Sequence, residues 1–206
     1  MDDTRELQPN QLDALREVSN IGAGHAATAL SQMIGGRIMI SVPRITATRV
    51  EDVPEQIGDA ENPVAAVLLK MVGDVTGHTL LVFPLPAAYR MAELMMHKPE
   101  GSITSLGMME ESAIKEAGNI LSSAYMNALS EFMGMILQPS PPHLVVDMAA
   151  AVLTTTYLEF SADHDYVFCV ESEFIMSETD EKLKGFFLLL PHPASLTKIL
   201  QAIRLA

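Results

Sequence analysis

Glu17 and Asn20, three residues apart in REVSN, return as Glu116 and Asn119 in KEAGN. If both stretches are helical, each Glu and its Asn are neighbours on one face, with Cβ atoms about 5 to 6 Å apart. A carboxamide does not titrate near neutrality, so neither Asn can serve as an ordinary general base. It can, however, orient a water. A side-chain amide holding a water in line with a phosphoryl group contributes by positioning, and it suffices only where a metal and a cation elsewhere already activate the phosphate. The carboxylate one turn away then fits as a docking group for that cation. A single Glu/Asn pair on a helix is ordinary solvated surface. Two pairs at the same helical phase point to a shared surface task, and their mid-helix position excludes capping.

The two pairs belong to a longer self-match. One offset, 116 − 17 = 119 − 20 = 99, also superposes Ile21 on Ile120, Leu30 on Leu129, Ser31 on Ser130, Gly35 on Gly134 and Pro43 on Pro142. Further on, PLPAAYRMAELM from Pro84 resembles PHPASLTKILQA from Pro191 at an offset of 191 − 84 = 107, so the second half carries a small insertion. Self-similarity at this scale predicts an internal repeat. The expectation is one domain over residues 1–206, built from repeats at approximately 7–100 and 106–204. Its fold class is α/β (α+β): a pseudo-twofold, mixed but largely antiparallel sheet with two long site-bearing helices. HKPEGSITSLG between the halves is too short and ordinary in composition to be a tether.

The elements that must hold the pairs are legible from period and punctuation. A helix is expected over about Pro9–Ile34, with Pro9 in its first turn and Gly35-Gly36 ending it. RIMISV, AAVLLKMV and HTLLVF read as strands, the last two flanking a turn-like GDVTG, and Pro86 begins a shorter helix through about Met96. The second half repeats this: a helix over about Met108–Met133, an extended piece at Leu144–Val146, a helical insertion DMAAAVLTTTYLEF, strands YVFCVESEFIM and GFFLLLP, and a helix from Pro193. The acidic stretches EDVPEQIGDAENP and SETDEK are expected on the surface.

On the first long helix Leu12, Leu15, Ala23, Ala26, Leu30 and Met33 share one side, widened by Val18 and Ile21, while Asp13, Glu17, Asn20, Gly24 and Ser31 fall on another. The second helix repeats the polar stripe as Ser112, Glu116, Asn119, Ser123 and Ser130. GAGHAA satisfies the dinucleotide pattern G-x-G-x-x-A, but that pattern needs a preceding strand and LDALREVSN is helical in period. Each glycine inside a helix costs roughly 0.5 to 1 kcal/mol relative to alanine. Gly22, on the core side, is therefore expected to admit a close neighbour, and Gly24, on the stripe, to leave the surface flat.

Composition narrows the partners. Twenty-six acidic against 13 basic residues give a net charge of −13, which repels nucleic acid and anionic lipid. No apolar run approaches the roughly 20 residues of a membrane span, the N-terminus has no signal-peptide pattern, and a cytoplasmic location is expected. The sole cysteine, Cys169, is expected to be a buried structural thiol. The six histidines show no local zinc spacing, and Met108, Met109, Met126, Met133 and Met135 are expected to fill the core.

The pattern D/S-x-x-x-E-x-x-N, met as DALREVSN from Asp13 and SAIKEAGN from Ser112, is followed by NIGAGHAATALS and later by PPHLVVDM. It closely resembles the CheC family of bacterial and archaeal chemotaxis phosphatases, over nearly the whole chain from about Leu7 to Ala202. The resemblance implies hydrolysis of the aspartyl phosphate of the response regulator CheY at two sites. It implies that Glu17 and Glu116 pair with the regulator's lysine and that Asn20 and Asn119 place the water, with Asp13 and Ser112 supporting. Magnesium would come with the regulator, and the protein would need no cofactor of its own. It also implies CheD as a further partner and a monomeric state. Ser19, where the second copy has Gly118, departs from the pattern, with a local packing effect expected. Other functions compete: an adaptor that sequesters CheD or phosphorylated CheY with little turnover, and a flagellar switch component, expected to carry a further C-terminal domain. The single-site dimeric relative CheX is disfavoured by the two intact pairs.

Overall fold

The computed structural model describes residues 9–49, 52, 53, 57, 60–160, 166–177 and 179–205. Two 26-residue helices, α1 (Pro9–Ile34) and α3 (Met108–Met133), stand 108 − 9 = 133 − 34 = 99 residues apart, the offset of the sequence repeat. Each stops at a glycine in the left-handed region, Gly35 at φ 67° and Gly134 at φ 63°, where a side chain would be strained. The Ser31 hydroxyl accepts the N–H of Ile38 at 3.0 Å, and the Ser130 hydroxyl donates to the Met135 carbonyl, so both serines of the repeat tie the helix end to the chain leaving it. They belong to the stop signal and not to the candidate site.

The other described elements are the strands β1 (Ile38–Arg49), β2 (Pro63–Gly73), β3 (Gly77–Pro84), β4 (Leu137–Pro139), β5 (His143–Met148), β6 (Tyr166–Met176) and β7 (Glu181–Pro191). The helices α2 (Leu85–Met95), α4 (Ala149–Phe160) and α5 (Pro193–Leu205) complete the set. One seven-stranded sheet runs β1-β6-β7-β3-β2-β4, with β5 also on β2, and every pair among the described residues is antiparallel. The order reads the same from both ends once β4 and β5 together are taken as the counterpart of β1. That strand shifts register between Ser41 and Arg44, around Pro43, and β4 and β5 part at Ser140–Pro142. A proline has no N–H for the ladder, so both copies break at the same place. At the centre Leu80 pairs with Leu188 and Leu81 with Phe187. The 107-residue offset carries one pair onto the other, placing the pseudo-twofold axis between them.

The central strands read as unbroken apolar runs because both faces are covered. Ala65, Val67, Leu81, Phe83, Phe187 and Leu189 turn to one face and share a core with Leu15, Val18, Leu30, Ile114 and Leu121 of the long helices. Val64, Ala66, Leu80, Val82, Phe186 and Leu188 turn to the other and pack with Val152 and Leu153 of α4. Val53 and Ile57 join that second core, so part of the acidic stretch expected on the surface is buried; its residues 51, 54–56, 58 and 59 lie outside the described residues. Leu7 of the expected first repeat, and the side chain of Leu12, also lie outside them.

Each half is tied to the other's hairpin. The Arg90 guanidinium of α2 donates to both carboxylate oxygens of Glu181 at the β6–β7 turn, at 2.9 and 3.0 Å, a planar two-point fit that a lysine cannot make. Lys198 of α5 donates to the Asp74 carbonyl at the β2–β3 turn, at 2.7 Å.

Candidate functional site

The sheet fixes which face of each long helix meets solvent. Leu15, Val18, Ala26 and Leu30 point inward, leaving Asp13, Glu17, Asn20 and Gly24 exposed on α1. On α3, Ile114, Ala117 and Leu121 point inward, leaving Ser112 and Glu116 exposed and Asn119 and Ser123 half-buried. Thus each Glu/Asn pair lies on one face of its helix, as the spacing predicts. No hydrogen bond or ion pair among the described residues engages the side chain of Glu17, Asn20, Glu116 or Asn119. Asp13 is held loosely by Arg16 at 3.4 Å, both well exposed, a contact of little energetic weight. Four polar groups are therefore left open to an incoming molecule, with their helices rigidly seated beneath them.

Two glycines, Gly22 and Gly118, set how those helices sit. A Cβ on Gly22 would meet the Tyr125 ring at 2.8 Å and its Cα at 3.0 Å, so α1 and α3 touch backbone to ring at this point. The repeat exchanges the partners: Gly22 and Ala26 on α1 stand where α3 has Leu121 and Tyr125, two small residues against two large ones, all buried. Tyr125 in turn stacks on Phe187 at a ring separation of 4.5 Å and shares a hydrogen bond with Ser172 at 3.1 Å. Gly118, beside Asn119, is pressed on Val67, whose side-chain atoms would lie 2.6 to 2.8 Å from a Cβ. Ser19, its counterpart beside Asn20, borders a small apolar cavity of about 20 Å³ lined by Leu15, Val18, Tyr125 and Phe168. Gly24 has nothing within 4 Å of a Cβ, so the surface next to Asn20 is flat.

Several expectations need correction. Ile21 is 44 % exposed and Met33 43 %, because the core-facing arc of α1 is narrower than its apolar residues. Met126 is fully buried, but Met108 and Met109 are 89 % and 68 % exposed: they stand on the side of α3 that carries Ser112 and Glu116 and not on the side of Ile114 and Leu121. A cavity of about 290 Å³ between Gly35, Arg37, Arg90, Glu93 and His97 lies at the C-terminal end of α1 and includes neither pair. Both pairs lie on the outer faces of their helices.

A duplicated α/β domain presenting one Glu-x-x-Asn pair on each of two packed helices defines the class. The sequence model of the CheC-like family matches residues 11–46 and 109–146, the long helix and following strand of each repeat. The chain is 32 % identical over 199 residues to the CheY-P phosphatase CheC of Bacillus subtilis, covering 96 % of this chain and 95 % of that protein. It belongs to the CheC-like family. The flagellar motor switch phosphatase FliY of the same organism is 30 % identical over 142 residues, 68 % of this chain but 36 % of its own length. Among solved structures, FliY of Thermotoga maritima matches with a TM-score of 0.80 at 24 % identity, covering 96 % of this chain and 98 % of that one. The FliM middle domain of Helicobacter pylori matches at 0.67 and 12 %, over 95 % and 99 %. At these identities the two structures show a shared fold.

Proposed function

We propose that this protein is a phosphatase that removes the aspartyl phosphate of phosphorylated CheY, at two sites built on α1 and α3. The observation that carries the reading is the repeated Glu-x-x-Asn pair, at one phase on both helices, on the solvent side, with Asn119 half-buried and the other three exposed, and without side-chain partners among the described residues. The kinship with the Bacillus subtilis protein named a CheY-P phosphatase supports it.

On this reading Glu17 or Glu116 pairs with a lysine of the regulator, which brings the phosphoryl group up to the helix. Asn20 or Asn119 then holds a water in line with the phosphorus. The water oxygen bonds to phosphorus as the acyl-phosphate P–O bond breaks, the aspartate leaves as carboxylate, and the water's protons pass to phosphate and solvent. Magnesium carried by the regulator would offset the charge of the phosphoryl oxygens, so Asn20 and Asn119 contribute by position, and the charge of Glu17 or Glu116 serves docking. Asp13 and Ser112, one turn before each Glu, support the regulator's approach. The protein acts as a cytoplasmic monomer, with CheD a further partner of the same reading.

The test is turnover of phosphorylated CheY by catalytic amounts of protein. Asn20→Ala and Asn119→Ala should each leave substantial activity, and the double variant should lose it while keeping its circular dichroism and melting temperature. Full activity in the double variant would sink the mechanism, and a ceiling of one event per molecule would favour an adaptor.

A further inference from the structure

Met108 and Met109 are the most exposed large apolar side chains among the described residues, at 89 % and 68 %. They are not on a frayed end. The Gly107 N–H donates to the Glu110 carboxylate at 3.1 Å, and Glu110 also takes Lys98 at 2.8 Å, so the first turn of α3 is capped and anchored. Glu110 and Glu111 in that turn further suit the positive end of the helix. Two methionines are thus held out in water by an ordered helix whose other methionines are covered, Met126 fully and Met133 in part.

Their phase is specific. Met109, Ser112, Glu116, Asn119 and Ser123 follow one another at steps of three and four residues, a single stripe on α3. Met109 lies two turns, about 10 Å, before Glu116 on that line. The first repeat does not share this feature, since Pro9 and Asn10 stand where α3 has Met108 and Met109.

Resting on the function proposed above, we infer that Met108 and Met109 form an apolar docking patch for the phosphorylated regulator at the second site only. The occupant is the regulator's receiver domain, because the patch continues the face that carries Glu116 and Asn119, and any molecule seated on that pair along the helix covers it. The partner surface must present a lysine at the Glu116 end and apolar side chains about 10 Å away. Methionine suits such a contact, its unbranched, polarizable side chain adapting to an irregular partner. The two sites thereby differ in affinity while sharing their chemistry.

The experiment places Met108→Ser/Met109→Ser in two backgrounds: Asn20→Ala, where only the second site works, and Asn119→Ala, where only the first does. The expected result is a KM for phosphorylated CheY raised about tenfold in the Asn20→Ala background with kcat nearly unchanged, and no change in the Asn119→Ala background. Leucine at both positions should restore the KM. Unchanged KM in both backgrounds, or an equal rise in both, overturns the inference. If no background turns over substrate, the phosphatase reading fails first. Calorimetric binding of beryllofluoride-activated regulator then decides the patch: a weaker Kd for the serine variant supports it and an unchanged Kd overturns it.

Discussion

Tyr125 occupies the space that a side chain on Gly22 would need, with its ring 2.8 Å and its Cα 3.0 Å from the position of that missing Cβ. One of those atoms is backbone, so α1 and α3 must separate to admit even a methyl group. Gly22→Ala is expected to lower stability by about 1 to 3 kcal/mol, although alanine is the better helix former. Gly24→Ala, with nothing within 4 Å, should instead gain about 0.5 to 1 kcal/mol. Denaturant midpoints of the two variants, moving in opposite directions, check the pair.

Gly118 and Ser19 predict a second asymmetry. Alanine at Gly118 would meet Val67 at 2.6 to 2.8 Å and lift α3 from β2 directly beneath Asn119. In the Asn20→Ala background, Gly118→Ala should reduce phosphatase activity by about tenfold or more, since small misplacements of a positioning group are costly. Ser19→Ala in the Asn119→Ala background should leave activity nearly unchanged, because Ser19 borders a small apolar cavity and a smaller side chain there clashes with nothing. Phosphate release in single-site variants separates these outcomes.

Glu93 ties the fold to pH. It is 2 % exposed; burial works against its charged form, but the N–H groups of Ile103 and Gly101 and the Arg90 guanidinium outweigh this and hold its carboxyl below the usual range. The Ile103 N–H is 2.9 Å from it. A value depressed in the folded state means the stabilisation is complete above the unfolded value of about 4.3 and is lost as pH falls through the folded one. Glu93→Gln should cost about 1 to 3 kcal/mol near neutrality and make the melting temperature less sensitive to acid as pH falls below about 4.3. Thermal scans across that range test it.

Cys169 should be inert in the native protein. Burial, reinforced by Glu171, pushes its thiol up to about 12, so almost no thiolate exists at neutral pH. Alkylation by iodoacetamide is expected to follow global unfolding. Rapid labelling of the folded protein would contradict the burial.

The helices, the strands and the Glu-x-x-Asn stripe were legible in the sequence because each rests on local rules: the 3.6-residue period, glycines in left-handed stops, and apolar runs bounded by turns. Duplication added the remaining weight, since it selected Glu17, Asn20, Glu116 and Asn119 from many polar residues on the same helices. Where the reading failed, the missing information was the outline of the neighbours. Ile21 and Met33 are apolar and in or near the core phase of α1, yet exposed, because the covered arc is narrower than the apolar residues. Met108 and Met109 stand at the phase of the polar stripe of α3, where being apolar is no sign of burial. Val53 and Ile57 went the other way, drawn from an acidic stretch into the second core by the uncovered face of the central strands.

The sequence by itself determined the repeat, the two long helices and the polar pairs upon them, all of which are short-range patterns or self-similarity along the chain. Only the tertiary structure decided that Gly22 receives Tyr125, that Gly118 is pressed on Val67 while Ser19 borders a void, and that Met108 and Met109 stand in water beside one pair alone. Packing is a relation between residues far apart in sequence, and two near-identical stripes acquire different surroundings when large and small residues are exchanged across a pseudo-twofold axis.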